Sequence, residues 1–123
     1  MLNEKFKEVL NHEGALSITS WSNNNANVTN TWNSYVRISD RGTLLIPAAG
    51  MTSTQADVAV NNRVKLTMGS KEVMGTIGMG AGFFIEGTAT FLDEGKDFDM
   101  MKENFPFLKR VLEVTPIVVK QTI

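Results

Sequence analysis

The segment Gly50–Thr54, in which a glycine is closely followed by three hydroxyl side chains, is the part of the sequence best suited to bind an anion. A helix is predicted to begin there, and a helix start presents unpaired backbone N–H groups and the positive end of the helix dipole. A phosphate group could be held by these donors. The alternative is an ordinary capped helix after a tight turn, because Thr52 and Gln55 have the spacing of a capping box. Spacing alone leaves both interpretations open.

A second polar segment, Thr29–Tyr35, combines amides, hydroxyls and two aromatic side chains within a stretch that otherwise has the pattern of a strand. Polar groups at this density need hydrogen-bond partners. They could bind a planar heteroaromatic ligand that an aromatic side chain covers. They could equally belong to a β-bulge and a hydrated sheet surface, and the sequence does not separate the two.

Other chemistry is disfavoured by residue type. The glycine-rich segment 78–82 runs into a predicted strand at Phe83 rather than a helix, so we predict a hairpin or dimer-contact loop instead of a dinucleotide-binding loop. The chain has no cysteine and a single histidine, His12, which argues against disulfides, a thiolate nucleophile, a zinc site or a serine–histidine triad. A haem site would have His12, at a helix end, as its sole imidazole. We predict no catalytic side chain and no metal site, and we assign the seven methionines to packing.

The elements that must position these segments are short helices and strands. The first helix is predicted to begin at Asn3 and stop at Gly14, the second to be capped by Thr52 and end near Asn61–Asn62, and the third to be capped by Asp97. Turns are expected at Ser22–Asn27, as a mobile loop, and at Asp40–Gly42. Strands are predicted at 15–20, 28–32, 35–39, 43–46 (closed by Pro47), 64–68, 83–92 and 111–122, the last with Pro116 at an edge or bulge. The segment 72–74 is expected either to extend the strand 64–68 or to pair with it.

The length of 123 residues fits a single domain, residues 1–123. With three successive strands in this part of the chain expected to form an antiparallel meander, the pattern predicts a mainly β fold, an antiparallel barrel of about six strands with short flanking helices. Twelve basic and 13 acidic residues give no strong field, so we expect no nucleic-acid or membrane partner. The segment Met1–Leu10 mixes charged with apolar residues, so we expect neither a signal peptide nor a membrane span, and predict a cytoplasmic protein.

Motifs along nearly the whole chain resemble one family. The sequence is similar to the FMN-binding split-barrel class, which includes pyridoxamine 5′-phosphate oxidases and flavin reductases, and within it to the small FMN-binding proteins of anaerobic sulfate-reducing bacteria. About one inserted residue near the third helix is needed. The residues that carry the resemblance are Asn30–Tyr35, Pro47, Gly50-Met51, Thr54, Gly69-Ser70, Gly82-Phe83, Gly87 and Gln121-Thr122.

The resemblance implies a Greek-key split barrel that is a homodimer, with each flavin mononucleotide (FMN) at the subunit interface. It implies that Thr31, Gly50, Met51 and Thr54 surround the phosphate and that Asn30, Trp32 and Ser34 lie along the ring system. It further implies that Glu13 approaches the flavin, and that Phe107 and Ile123 reach it from the partner subunit. The cofactor-binding residues expected on this basis are Glu13, Asn30, Thr31, Trp32, Ser34, Ala49, Gly50, Met51, Ser53, Thr54, Lys71, Phe107 and Ile123.

Two positions depart from the family pattern. Ser53 stands where the related protein has a lysine, so one phosphate counter-charge is missing, and Phe107 stands where it has a tryptophan. Lys71, next to Gly69-Ser70, could supply the charge. The alternative for Lys71 is a solvated turn residue.

Two functions follow from the resemblance. A small electron carrier needs only to bind FMN, shield it and set its potential, with an unknown redox protein as its partner and Glu13 as a tuning charge. The alternative is an FMN-dependent oxidoreductase, a flavin reductase or oxidase that uses NAD(P)H or an amine. Such an enzyme needs groups that hold a substrate over the flavin, and the chain lacks the basic, histidine-bearing C-terminal segment of the pyridoxamine-phosphate oxidases.

Overall fold

The computed structural model describes residues 1–123 and contains three α-helices and seven β-strands. The helices are α1 Glu4–Leu10, α2 Thr52–Val60 and α3 Lys96–Asn104. The strands are β1 Ala15–Ser22, β2 Asn25–Trp32, β3 Arg37–Ile38, β4 Leu44–Ala48, β5 Arg63–Met74, β6 Met79–Leu92 and β7 Arg110–Gln121. One turn of 3-10 helix, Asn33–Tyr35, follows β2. None of the helices has the length and apolar character needed to cross a bilayer.

All seven strands form one antiparallel sheet in the order β2-β1-β5-β6-β7-β4-β3. The long strands β5, β6 and β7 form a central meander, and the hairpins β1–β2 and β3–β4 extend it on either side. The predicted meander of three successive strands is wrong, because the 3-10 turn at Asn33–Tyr35 redirects the chain and β3 pairs with β4 but not with β2. The predicted strand number of about six matches when the two-residue β3 is set aside.

Alternating apolar residues of the long strands build the core. In β5 the residues Val64, Leu66 and Met68 are buried, and the intervening side chains are more exposed. They belong to a cluster of 18 buried residues that α1 covers, with Phe6 packed edge-on against Phe83 at 5.2 Å between ring centroids. A second cluster of five buried residues lies around α3. The period-2 pattern therefore places one face of the sheet in the core.

The helix ends agree with prediction at two positions and differ at others, and one agreement is the end of α2 at Val60, with Asn61 as its C-cap. Asn3 caps α1 as predicted, since its Oδ1 accepts a hydrogen bond of 2.9 Å from the N–H of Phe6. However, α1 ends at Leu10, so Gly14 is not the stop. Gly14 is needed for close packing, because a Cβ there would lie 1.8 Å from the carbonyl oxygen of Gly69. Asp97 lies inside α3 rather than capping it, because the helix starts directly after Gly95.

One turn and two of the three prolines also reflect local backbone preferences. A two-residue hairpin at Asn23-Asn24, both at positive φ (51° and 59°), replaces the expected loop 22–27. Pro47 lies inside β4 instead of closing it; β3 pairs only with Leu44 and Leu45, so β4 has a free edge at Pro47. Pro116 lies at a bulge, as predicted.

Candidate functional site

A recess of ≈ 250 Å³ lies between the start of α2 and the strand β2, lined by residues 51–54 and 27–29. Met51 precedes the helix in the left-handed conformation, with φ 58°, and no side chain caps the helix. Thr52 is the first helical residue, so the predicted capping box with Gln55 is wrong. The backbone N–H of Gln55 donates to the carbonyl of Met51 at 2.9 Å instead.

This uncapped start leaves donors free for a ligand. The backbone N–H groups of Thr52, Ser53 and Thr54 have no backbone or side-chain acceptor. At Gly50 nothing lies within 4 Å of the position a Cβ would occupy, so a ligand atom can approach the backbone closely. Backbone N–H groups, hydroxyls and the positive end of the helix dipole together fit a phosphate.

Asp57, one turn into α2, fixes this recess in place. Its carboxylate accepts hydrogen bonds from Ser20 (2.7 Å), Ser22 (2.7 Å) and Asn27 (2.8 Å) of the β1–β2 hairpin. These bonds, led by that from Asn27, hold the pKa of Asp57 below its usual value. The sequence analysis missed this residue, although it is the only charged side chain in α2.

Asn33 lies inside the polar segment Thr29–Tyr35 but is not among the expected ligands. It is fully buried and connects three parts of the chain. Its Nδ2 donates to the carbonyl oxygens of Gly69 (2.9 Å), Val9 (3.3 Å) and His12 (3.3 Å). Its backbone N–H donates to the carbonyl of Gly14 at 2.9 Å. The amide thus satisfies part of the polar density of the segment within the protein.

The neighbours of Asn33 divide between the two faces of β2. Thr31 is buried and shares a face with Thr29, which lines the recess. Asn30 and Trp32 lie on the opposite face and are exposed, Trp32 to 51%. Ser34 lies in the 3-10 turn and lines a larger recess of ≈ 480 Å³ with Lys7 and Arg37. Thr31 therefore lies on the same strand face as Thr29 but does not line the recess itself, whereas Trp32 lies on the other side of the strand.

Of the expected residues, only Met51, Ser53 and Thr54 line the α2 recess, and Phe107, Ile123, Glu13 and Lys71 lie elsewhere. Phe107 is 50% exposed and packs in an aromatic cluster, with its ring centroid 5.6 Å from that of Tyr35 and 6.0 Å from that of Phe105. Ile123 is 55% exposed, and its carbonyl accepts from the N–H of Gly82 at 3.3 Å. Glu13 and Lys71 are exposed and take part in no ion pair.

Arg110 is a cation at the start of α2 that the sequence analysis missed. Its Nη2 donates to the carbonyl oxygen of Gly50, and its guanidinium lies 5.5 Å from the centre of the Phe91 ring. The register of β4 on β7 pairs Ala48 with Arg110, which brings the side chain to the Ala49-Gly50 connection. Nothing local to residue 110 indicates this contact, because it depends on the pairing of two strands distant in sequence.

Comparisons with known proteins agree with this architecture. The model of the family described as pyridoxamine 5′-phosphate oxidase matches residues 2–122. The FMN-binding protein of Nitratidesulfovibrio vulgaris (strain DSM 19637 / Miyazaki F) is 37% identical over 123 residues, which is the whole of both chains. An FMN-binding protein from Syntrophomonas wolfei has a similar structure, with a TM-score of 0.77 and 16% identity over 99% of this chain and 86% of that one. HupZ from Group A Streptococcus also has a similar structure, with a TM-score of 0.78 and 16% identity over 99% of this chain and 94% of that one.

The likeness to these structures shows the fold, and it confirms the mainly β split barrel predicted from the sequence. The family match and the full-length relative show, in addition to the fold, the family to which the chain belongs. The chain belongs to the pyridoxamine 5′-phosphate oxidase family.

Proposed function

We propose that this chain binds FMN, with the phosphate at the start of α2, and that it serves as a small electron carrier. The observation that carries the proposal is the uncapped helix start, where three backbone N–H groups are free beside hydroxyl side chains. The 37% identical relative named as an FMN-binding protein supports FMN as the ligand. No titratable side chain lines the recess, so its groups are suited to holding an anion rather than to proton transfer.

FMN would supply the redox chemistry, and the residues of the chain would hold and shield it. Thr31, Ala49, Gly50, Met51, Ser53 and Thr54 surround the phosphate in this proposal. Asn33 has a positioning role, because its hydrogen bonds fix the turn between Trp32 and Ser34. Asn30, Trp32 and Ser34 would contact the ring system.

The proposal includes a homodimer with the flavin at the interface. Trp32, Phe107 and Ile123 each leave half or more of their surface exposed in one subunit. A large contiguous apolar patch marks an interaction surface, and in this proposal the exposed side chains form one across the two subunits. Phe107 and Ile123 of one subunit would then cover the flavin held by the other. The same proposal includes an unidentified redox protein as the electron partner. It also includes a cytoplasmic location, which cell fractionation tests.

An FMN-dependent oxidoreductase is the second candidate. The recess beside Ser34 favours it, because Lys7 and Arg37 give that recess a positive lining. Arg37 is held in place by the carbonyl oxygens of Ser34 (2.8 Å) and Val36 (3.1 Å). A substrate with an anionic group could bind there.

Anaerobic kinetics with the FMN-loaded protein separate the two candidates. A carrier is expected to be reduced by dithionite and reoxidised by a one-electron acceptor such as ferricyanide, with NADH and NADPH turnover no faster than that of free FMN. Steady-state turnover of NAD(P)H near the range typical of enzymes, on the order of 1 s⁻¹ or more, would refute the carrier role. Free FMN at the same concentration is the control.

A further inference from the structure

We propose that Arg110 provides the positive charge that binds the phosphate of the flavin, an inference that rests on the proposed function. An FMN phosphate carries about two negative charges near neutral pH. The first turn of α2 consists of uncharged residues, so it offers hydrogen-bond donors without a full counter-charge. The charge must come from another element.

Strand pairing brings Arg110 to this position. β7 lies beside β4, with Arg110 opposite Ala48, and the N–H of Lys109 donates to the carbonyl of Ala48 at 2.9 Å. β4 leads through Ala49 and Gly50 directly into α2. The hydrogen bond from Arg110 to the Gly50 carbonyl therefore fixes the guanidinium at the entrance to the helix.

The charge of Arg110 is not neutralised by the protein. Arg41 pairs with Asp97 and Glu113, and Arg63 pairs with Glu86. Arg110 forms no ion pair, and its buried Nε has no hydrogen-bond partner. A guanidinium has five N–H donors and binds phosphate in a bidentate manner. Apart from the Nη2 bond to Gly50 and the buried Nε, the donors of Arg110 have no partner in the protein and remain available to a phosphate.

Lys71, the residue considered for this role from the sequence, has weaker structural support. It lies in β5, between β1 and β6 in the sheet, whereas β4 leads into α2. It is exposed and has no contact that directs its ammonium group towards Gly50. We therefore assign the counter-charge to Arg110.

Paired titrations with FMN and riboflavin test this assignment, because the two ligands differ only in the phosphate. The variants are Arg110→Gln, which removes the charge while keeping a donor for the Gly50 carbonyl, and Arg110→Lys, which keeps the charge. Lys109→Gln removes the same charge from the adjacent residue and is the matched control, and Lys71→Gln tests the rival residue. Thermal unfolding of each protein without flavin verifies that it is folded.

Arg110→Gln is expected to raise the Kd for FMN roughly 10- to 100-fold, because a charge-assisted hydrogen bond to the phosphate is lost. The Kd for riboflavin should stay within about twofold of that of the unmutated protein. Arg110→Lys should recover part of the preference for FMN, and the Lys109 and Lys71 variants should retain it. Equal weakening for both flavins, an unchanged ratio, or a phosphate-specific loss in Lys71→Gln instead would overturn the assignment. Failure of the unmutated protein to bind either flavin would overturn the proposed function itself.

Discussion

Replacement of Asn33 by Asp tests the internal amide that supports the candidate site. The two side chains have nearly the same shape, so the change creates no cavity, but it removes the N–H donors. Three carbonyl oxygens, from Val9, His12 and Gly69, lie 2.9–3.3 Å from Nδ2 and would face a carboxyl oxygen instead. Asn33 is fully buried, so water cannot replace the lost donors.

The expected cost follows from the number of donors. An amide has two protons, so two of the three contacts count as full hydrogen bonds, and each buried acceptor left without a partner costs about 1–3 kcal/mol. We expect Asn33→Asp to lower the free energy of unfolding by about 3 kcal/mol. For a domain of this size that corresponds to a fall in Tm of about 12 °C.

Thermal unfolding of the flavin-free proteins, followed by circular dichroism, measures this shift. Asn30→Asp is the control variant. Asn30 is exposed on the preceding strand, so the same chemical change should alter Tm by no more than about 2 °C. A Tm for Asn33→Asp within about 2 °C of the unmutated protein would refute the argument. So would an equal fall in Asn30→Asp.

Other regions give three further predictions. Gly14→Ala should destabilise the protein by about 3 kcal/mol in urea unfolding, because its Cβ would lie 1.8 Å from the Gly69 carbonyl oxygen, while Gly78→Ala, which meets no atom within 4 Å, should be nearly neutral. Because the pKa of Asp57 is lowered in the folded state, its carboxylate stabilises the protein fully above the unfolded pKa of about 3.9, and this stabilisation is lost as the pH falls through the folded pKa. Asp57→Asn should therefore lower the urea midpoint at pH 7 and make the midpoint fall less steeply as the pH is lowered. An equally steep fall in the variant and the unmutated protein would contradict this. Glu13→Gln should raise the flavin potential by on the order of 90 mV if Glu13 lies roughly 8 Å from the ring, and an unchanged potential would remove Glu13 from the site.

Local features of the structure were predictable because neighbouring residues determine them. The alternation in β5, the Asn3 cap and the bulge at Pro116 follow from periodicity and backbone chemistry. The Thr52 cap was predicted wrongly because Met51 adopts the left-handed conformation, which is uncommon for a residue with a bulky side chain. Local propensity does not encode that exception.

The supporting residues of the site were not predictable, because their partners are distant in sequence. Asn33 contacts Gly69, 36 residues away, and Arg110 contacts Gly50, 60 residues away. Both contacts depend on the order of strands in the sheet, which the sequence patterns do not specify. The segment Gly50–Thr54 was predicted as a possible anion site from its residue types, and the family resemblance added Thr31. In the structure, residues 51–54 line the α2 recess.

The central claim is that the chain binds FMN as a homodimer, and size-exclusion chromatography with light scattering and visible absorption tests it most directly. The purified protein, with and without added FMN, should elute as a dimer whose peak carries flavin absorption bands at about one FMN per chain. Elution of flavin entirely apart from the protein, or flavin bound to a stable monomer, would contradict the account.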